Sequence, residues 1–255
     1  MRLLPWRGGL VKRVTSFMPL FLRNFLRKNI TAFEYHLRYS REERKIANLR
    51  DGCPEREVAP DLSGIPRSHQ GRYRFSCHRI PGDARVLDAA CGIGYGAYIL
   101  ATESRAASIT ALDISKQGIA YGRRHYSAPE IDFGVTDITA LNLKEDTFDV
   151  IVSFETIEHV KAPKSVLRSF HESLAEDGIL IVSVPNEVLL PFNRETYVHH
   201  ERHYTPDELC KLVESCGFRV ERIFAQGDDD MIREGENGKT ILVEARKARH
   251  HSTEK

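Results

Sequence analysis

The chain reads as an α/β protein built on an open, doubly wound sheet. Three observations predict this. The stretch Val86-Leu87-Asp88-Ala89-Ala90-Cys91-Gly92-Ile93-Gly94-Tyr95-Gly96 begins as an apolar strand, turns on glycines and enters a helix near Ala97, which is the first crossover of such a sheet. Further strand patterns then alternate with helical ones along the chain. Val150-Ile151-Val152-Ser153 is a continuous β-branched run, the pattern of a parallel strand buried on both faces.

Taken in order, residues 1–33 hold seven basic side chains and no acid. Leu10, Val14, Phe17, Phe21 and Phe25 recur there at helical spacing, and Pro19 is placed to kink or restart the helix. Three readings stand open for this segment: a basic amphipathic helix on an anionic membrane surface, a helix docking its apolar stripe on the rest of the chain, or an organelle transit peptide. Residues 34–50 are dense in charge and predict a solvated helix. Residues 51–67, with Gly52, Pro54, Pro60, Gly64 and Pro66, predict an irregular linker. Arg72-Tyr73-Arg74-Phe75 then falls on a helix before the first strand. Residues 34–82 thus form a helical and linker region, 83–247 the α/β domain and 248–255 a polar tail.

Within the domain, residues 108–114 predict the second strand, ending in Asp113, and 117–126 the next helix. Residues 131–135 predict a third strand, closed by Asp137. Asp146-Thr147-Phe148-Asp149 turns into the fourth strand, 150–153. Pro163 can start a helix running to about residue 174. Residues 178–184 are the fifth strand. The longer loop 191–204 carries His199, His200 and His203. Thr205 caps the following helix, with Pro206 at its first position and Glu208 completing a capping box. That helix ends near Gly217. Residues 218–225 and 240–245 are the last two of seven strands, joined by a solvated loop with Asp228, Asp229 and Asp230.

The 255 residues suffice for one full core. A formal charge of +1 provides no global field for nucleic acid. The five cysteines, Cys53, Cys77, Cys91, Cys210 and Cys216, are odd in number and lack Cys-x-x-Cys spacing. Neither a disulfide framework nor a zinc ribbon is expected, which fits a reducing cytoplasm. No apolar run reaches the roughly 18 residues of a membrane span.

Asp88 separates the ligand classes. A dinucleotide would set its pyrophosphate at the helix N-terminus, and a carboxylate at the strand end would oppose that anion. Asp113 lies about 20 residues beyond the glycine loop, where a carboxylate can accept both hydroxyls of a ribose. The plainer reading of Asp113 is a strand-end acid capping the next helix through Ser115. The run DAACGIGYG, with Asp113 downstream, resembles the first motif of the class I S-adenosylmethionine (SAM)-dependent methyltransferases. The resemblance extends from about Arg85 to Phe218. SAM has no phosphate and carries an ammonium and a sulfonium, so Asp88 becomes an asset.

The resemblance implies a Rossmann-like, doubly wound, seven-stranded sheet, mostly parallel with one antiparallel strand near the edge, the last strand entering between the fifth and sixth. It implies SAM as cofactor, bound by Asp88, Ala90, Gly92, Gly94, Asp113, Ile114, Asp137, Ile138 and Phe154. Asp137 would meet the adenine amine, with Ile138 beside the ring. The segment holding Arg72 and Arg74 would cover the cofactor, either arginine meeting its carboxylate or remaining at the surface.

Phe154-Glu155-Thr156-Ile157-Glu158-His159-Val160 follows the fourth strand at its carboxyl end, where ligands bind in open α/β sheets. His159, with Glu158, is the candidate base for a hydroxyl acceptor, since a free imidazole titrates near neutrality. The alternative is a histidine that only bonds the backbone of the acceptor loop. On a helical turn Glu155, Glu158 and His159 would share one face. Small-RNA 2′-O-methyltransferases and ubiquinone-pathway O-methyltransferases carry a similar Glu-x-x-Glu-His that holds a divalent metal. The resemblance therefore implies a magnesium site of Glu155, Glu158, His159 and His200, with His199 as the other choice for the last ligand. The motif set RYRF, FETIEHV, VPN and HHERHYTPDEL is similar to bacterial polysaccharide-pathway methyltransferases. The expected function is methyl transfer to a hydroxyl oxygen of a sugar, glycan precursor or small ring. A metal-assisted 2′-O-methyltransferase of RNA and a non-catalytic scaffold are the alternatives. The expected partner is a small-molecule or glycan acceptor; nucleic acid is not favoured.

Overall fold

The computed structural model describes residues 57–141 and 143–248. The readings for residues 1–33 and 34–50, the first part of the linker and the tail from 249 lie outside the described residues. Among the described residues, no helix is long and apolar enough to cross a membrane.

Among the described residues, five α-helices and eight strands form the domain: α1 (Arg67–Cys77), β1 (Arg85–Ala89), α2 (Tyr95–Glu103), β2 (Ser108–Asp113), α3 (Lys116–His125), β3 (Ile131–Val135), β4 (Phe148–Phe154), α4 (Pro163–Ser173), β5 (Leu174–Pro185), α5 (Pro206–Glu214), β6 (Phe218–Gln226), β7 (Ile232–Glu234) and β8 (Thr240–Lys247). The sheet order is β3-β2-β1-β4-β5-β8-β6-β7. The first five strands in that order pair parallel, and β8 runs antiparallel between β5 and β6, where the family resemblance put it.

The strand count is eight, not seven. Residues 232–234, expected in a solvated loop, pair antiparallel with the end of β6, Ile232 opposite Gln226 and Arg233 opposite Ala225. Two of the three acids of that loop are paired locally: Arg233 bonds Asp229 at 3.0 Å and Lys239 bonds Asp228 at 2.8 Å. A run of three residues is too short to show a strand period in sequence.

Apolar alternation along β1 decides the layers. Leu87 and Ala89 join Val166, Leu167 and Phe170 of α4 and Leu209 and Val213 of α5 in one core. Val86 joins Ile99 and Leu100 of α2, Ile119 of α3 and Tyr73 of α1 in the other. The carboxyl ends of the central strands are left open between the layers. The capping box at Thr205 and Glu208 forms at the start of α5.

α1 is stitched across this opening. Gln70 donates to the carbonyls of Leu62 and Ile65 at 2.7 and 2.8 Å. Arg79, just beyond α1, bonds Glu244 at 2.7 Å and stacks on Phe75 and Phe224. Tyr73 lies directly over Gly96, and a Cβ at residue 96 would fall inside the Tyr73 ring. Gly96→Ala is therefore expected to cost about 1–3 kcal/mol through overpacking. Thermal melts of the single variants and of Gly96→Ala with Tyr73→Leu give the double-mutant cycle. The cost should shrink when the ring is gone, and strict additivity would refute this contact.

Candidate active site

The ends of β1, β2 and β4 open onto a cavity of about 750 Å³, walled also by α1 and the loop before α5. Three consecutive features shape the floor. Ala90 has φ 63°, Gly92 φ 62° and Gly94 φ 83°, a left-handed series that a side chain resists. The glycines divide the labour. At Gly92 a Cβ would meet nothing within 4 Å, and the residue faces the cavity. At Gly94 it would strike Phe133, so this glycine serves packing and does not line the cavity.

Asp113 ties two loops together. Its Oδ2 accepts from the Gly92 backbone N–H at 2.9 Å and its Oδ1 from that of Ser115 at 2.8 Å. Ser115 itself, not Asp113, caps α3, its Oγ accepting from Gly118. Asp113 still lines the cavity beside Ile114, which is 65% exposed. Farther along, Asp137 accepts from both the backbone N–H and the hydroxyl of Thr139, bonds that lower its pKa. Ile138 and Phe154 are nearly buried in the wall.

Asp88 is fully buried and does not line the cavity; the Tyr73 hydroxyl lies on it, donating to Oδ1 at 3.2 Å. The expectation that Asp88 itself presents its charge to a ligand is thus corrected: Tyr73 stands in the way. Nothing in the sequence marks Tyr73 for that place beyond its position in RYRF. Of the two arginines there, Arg74 is drawn outside by a bidentate pair with Glu103. Arg72 is buried in the cavity wall and donates to Gln226 at 2.8 Å, and its Nε has no acceptor.

At the other end, Glu155 leaves the expected metal set. Its φ is 48°, and the helical turn begins only at Ile157, so Glu155 does not share a face with Glu158 and His159. Its carboxylate accepts from the Ser183 hydroxyl at 2.7 Å instead. Glu158, His159 and His200 do converge, each with one ligand atom within 4.8 Å of the others'. Glu158 is wholly buried, with Oε1 4.0 Å from His159 Nε2.

The imidazoles are oriented from behind. A carbonyl can only accept, so His159 Nδ1 donates to His199 O at 3.0 Å. When the ring is neutral, Nε2 then carries the lone pair. His203 Nδ1 donates to Leu190 O at 2.6 Å in the same way. With His203 neutral, His200 Nδ1 donates to His203 Nε2 at 2.8 Å, and His200 also turns an acceptor Nε2 forward. In the sequence His203 is one of three loop histidines; its place depends on a contact no spacing reveals. His199 contributes its backbone carbonyl.

A family model described as a methyltransferase domain matches residues 81–246, and the chain belongs to that family. A protein of Mycolicibacterium smegmatis named as a probable S-adenosylmethionine-dependent methyltransferase is 32% identical over 157 residues, 61% of this chain and 59% of the relative. A ubiquinone biosynthesis O-methyltransferase of Aeromonas salmonicida is 28% identical over 152 residues, 53% of this chain and 63% of the relative. The chain thus spans roughly three fifths of the length of these curated relatives. The solved structure of an S-adenosylmethionine-dependent methyltransferase from Mesorhizobium loti superposes with a TM-score of 0.59 at 17% identity, covering 69% of this chain and 97% of that one. That likeness shows the shared fold.

The family implies SAM as cofactor, and the cavity suits it. Asp113 at the β2 end would take the ribose, Gly92 leaves room against bare backbone, and the buried Arg72 Nε, without an acceptor, would meet an anion such as a carboxylate. Asp113→Ala is expected to weaken binding of S-adenosylhomocysteine by about 2–4 kcal/mol, two charge-assisted bonds discounted for re-solvation. Calorimetry measures it, and unchanged affinity would remove Asp113 from the ribose site.

A second prediction concerns Asp88. Burial raises its pKa to about 7; the Tyr73 bond pulls the other way and the Asp113 charge adds to the rise. The unfolded chain releases this proton near 3.8, so between that pH and about 7 the folded state binds more protons and its stability falls as pH rises. Asp88→Asn abolishes the effect. The unfolding free energy of wild type relative to the variant, from denaturant titrations, should drop from pH 4 to pH 8 by an amount on the order of a few kcal/mol. Parallel curves would contradict a buried, proton-holding Asp88.

Proposed function

We propose that this protein transfers a methyl group from SAM to a hydroxyl oxygen on a sugar, glycan precursor or small ring. The observation that carries the reading is His159, in the cavity wall beyond β4, with Nδ1 pinned to the His199 carbonyl and Nε2 directed toward Glu158. Bound SAM supplies a methyl carbon made electrophilic by a sulfonium that leaves neutral. The chain's task is then to align an acceptor and remove its proton. Alignment is worth roughly 7–11 kcal/mol in favourable cases. A hydroxyl gains from a base, and His159 Nε2 is the nitrogen to take its proton as the new oxygen–carbon bond forms. The buried Glu158 stands 4.0 Å from that nitrogen. A neutral amine acceptor already has its lone pair and needs neither group.

A second reading is favoured by the convergence of Glu158, His159 and His200: these three would hold a divalent cation that lowers the acceptor hydroxyl's pKa. With Glu155 bonded to Ser183, the set is two imidazoles and one carboxylate. That composition suits zinc or manganese better than magnesium, which prefers an all-oxygen shell. His203 would orient His200 as an outer-shell partner.

Labelled SAM offered to sugar nucleotides, quinol precursors and short RNAs, with and without chelator, tests both. Under the base reading, turnover appears on a hydroxylated acceptor, ignores the chelator and falls about 10²–10⁴-fold in His159→Gln. Under the metal reading, chelation abolishes it and manganese or zinc restores it. A product methylated on nitrogen or carbon rejects the oxygen assignment.

A further inference from the structure

The proposal concerns the opposite end of the cavity and rests on SAM being the ligand there. We propose that Tyr73, backed by Asp88, is the residue that recognises the ammonium of the cofactor's amino-acid end, and that Asp88 is a positioning residue acting through it.

The acid at the end of β1 is the obvious partner for a cationic ligand, yet Asp88 is fully enclosed and lines no part of the cavity. Tyr73 does line it and touches Asp88 with its hydroxyl at 3.2 Å. The ring is fixed on every side. It meets Phe154 edge-on at 4.9 Å and Tyr95 at 5.7 Å between centroids, and it rests on the bare backbone of Gly96. A rigid ring can hold one hydroxyl in one place, as specificity requires.

The hydrogen-bond direction then decides what that hydroxyl can bind. Burial and the neighbouring Asp88 charge both raise the Tyr73 phenol well above its ordinary range, so it keeps its proton. Above about pH 7, where Asp88 is ionised, the phenol gives its proton to the carboxylate, and only oxygen lone pairs remain for a ligand. Donation to a carboxylate polarises the O–H bond and strengthens the oxygen as an acceptor. A group that only donates and carries positive charge, an ammonium, is its complement.

The next residue on α1 supplies the other half. Arg72 is buried in the same wall, steadied by Gln226, with an Nε that lacks an acceptor. Adjacent residues of one helix thus offer a cation and a polarised acceptor, the two groups that read a zwitterionic α-amino acid. Gln226 is itself held by donating to Ser68 O and Asp229 O, so the arginine's place depends on α1 lying against the β6–β7 turn.

Calorimetry with two probes at pH 8, where Asp88 is ionised, tests this. S-adenosylhomocysteine carries the amino acid; 5′-methylthioadenosine has the nucleoside and thioether without it. Tyr73→Phe keeps the ring packing and should weaken S-adenosylhomocysteine about tenfold or more, while methylthioadenosine stays within about twofold. Asp88→Asn should lower the same ratio in the wild-type background and leave it unchanged once Tyr73→Phe is present. Equal loss for both probes in Tyr73→Phe would mean that the hydroxyl only supports the fold, and overturns the proposal. So does an unchanged ratio, or additive effects of the two substitutions. Wild type binding neither probe would bring down the cofactor reading itself. Wild type favouring S-adenosylhomocysteine with Tyr73→Phe indistinguishable from it brings down only this inference.

Discussion

The bridge from Asp113 to the glycine turn is the interaction on which the rest of the cavity depends. A left-handed series of three residues, Ala90, Gly92 and Gly94, is costly to hold, and the Gly92 N–H within it finds its acceptor in a side chain. Asp113 accepts from Gly92 on one side and Ser115 on the other, joining the β1 and β2 ends through one carboxylate. The carboxylate that lines the cavity at the β2 end is thus already held by the loop beneath it.

The two ends of the cavity are built on opposite principles. At the α1 end, charges are buried singly and tuned through neighbours: Asp88 under Tyr73, Arg72 against Gln226. Such burial costs stability, and α1 is fastened by Gln70, by Arg74 on Glu103 and, just beyond it, by Arg79 on Glu244. At the β4 end, the titratable groups are gathered together. Glu158, His159 and His200 face one spot, each imidazole turned by a carbonyl or by another imidazole. The Glu201 N–H donates to the Glu158 carbonyl at 2.7 Å, so the loop before α5 and the turn after β4 are held to one another. A displacement of that loop would move the His199 carbonyl and His159 together.

The His159 result also dissolves an opposition. The sequence allows His159 to be either a base or a histidine bonded to the loop backbone. In the structure the loop bond is made by Nδ1, and that bond is what leaves Nε2 as the acceptor in the neutral ring.

Much of the fold follows from local order alone. The strand–turn–helix around Gly92, the buried runs of β4 and β5 and the capping box at Thr205 depend on neighbours within a few residues, and their periods are legible. The sequence by itself also determined which residue types stand at the strand ends, Asp88, Asp113 and His159 among them. What it did not determine is which of them face the same space. The three-residue β7 forms only because β6 offers an edge. Glu155 parts from Glu158 because a positive φ and the Ser183 hydroxyl intervene. Tyr73 shields Asp88 because α1, arriving from a separate segment, lays a ring on Gly96. Each of these is a contact across the sheet or between layers. Such contacts are settled by packing, which only the assembled chain can express.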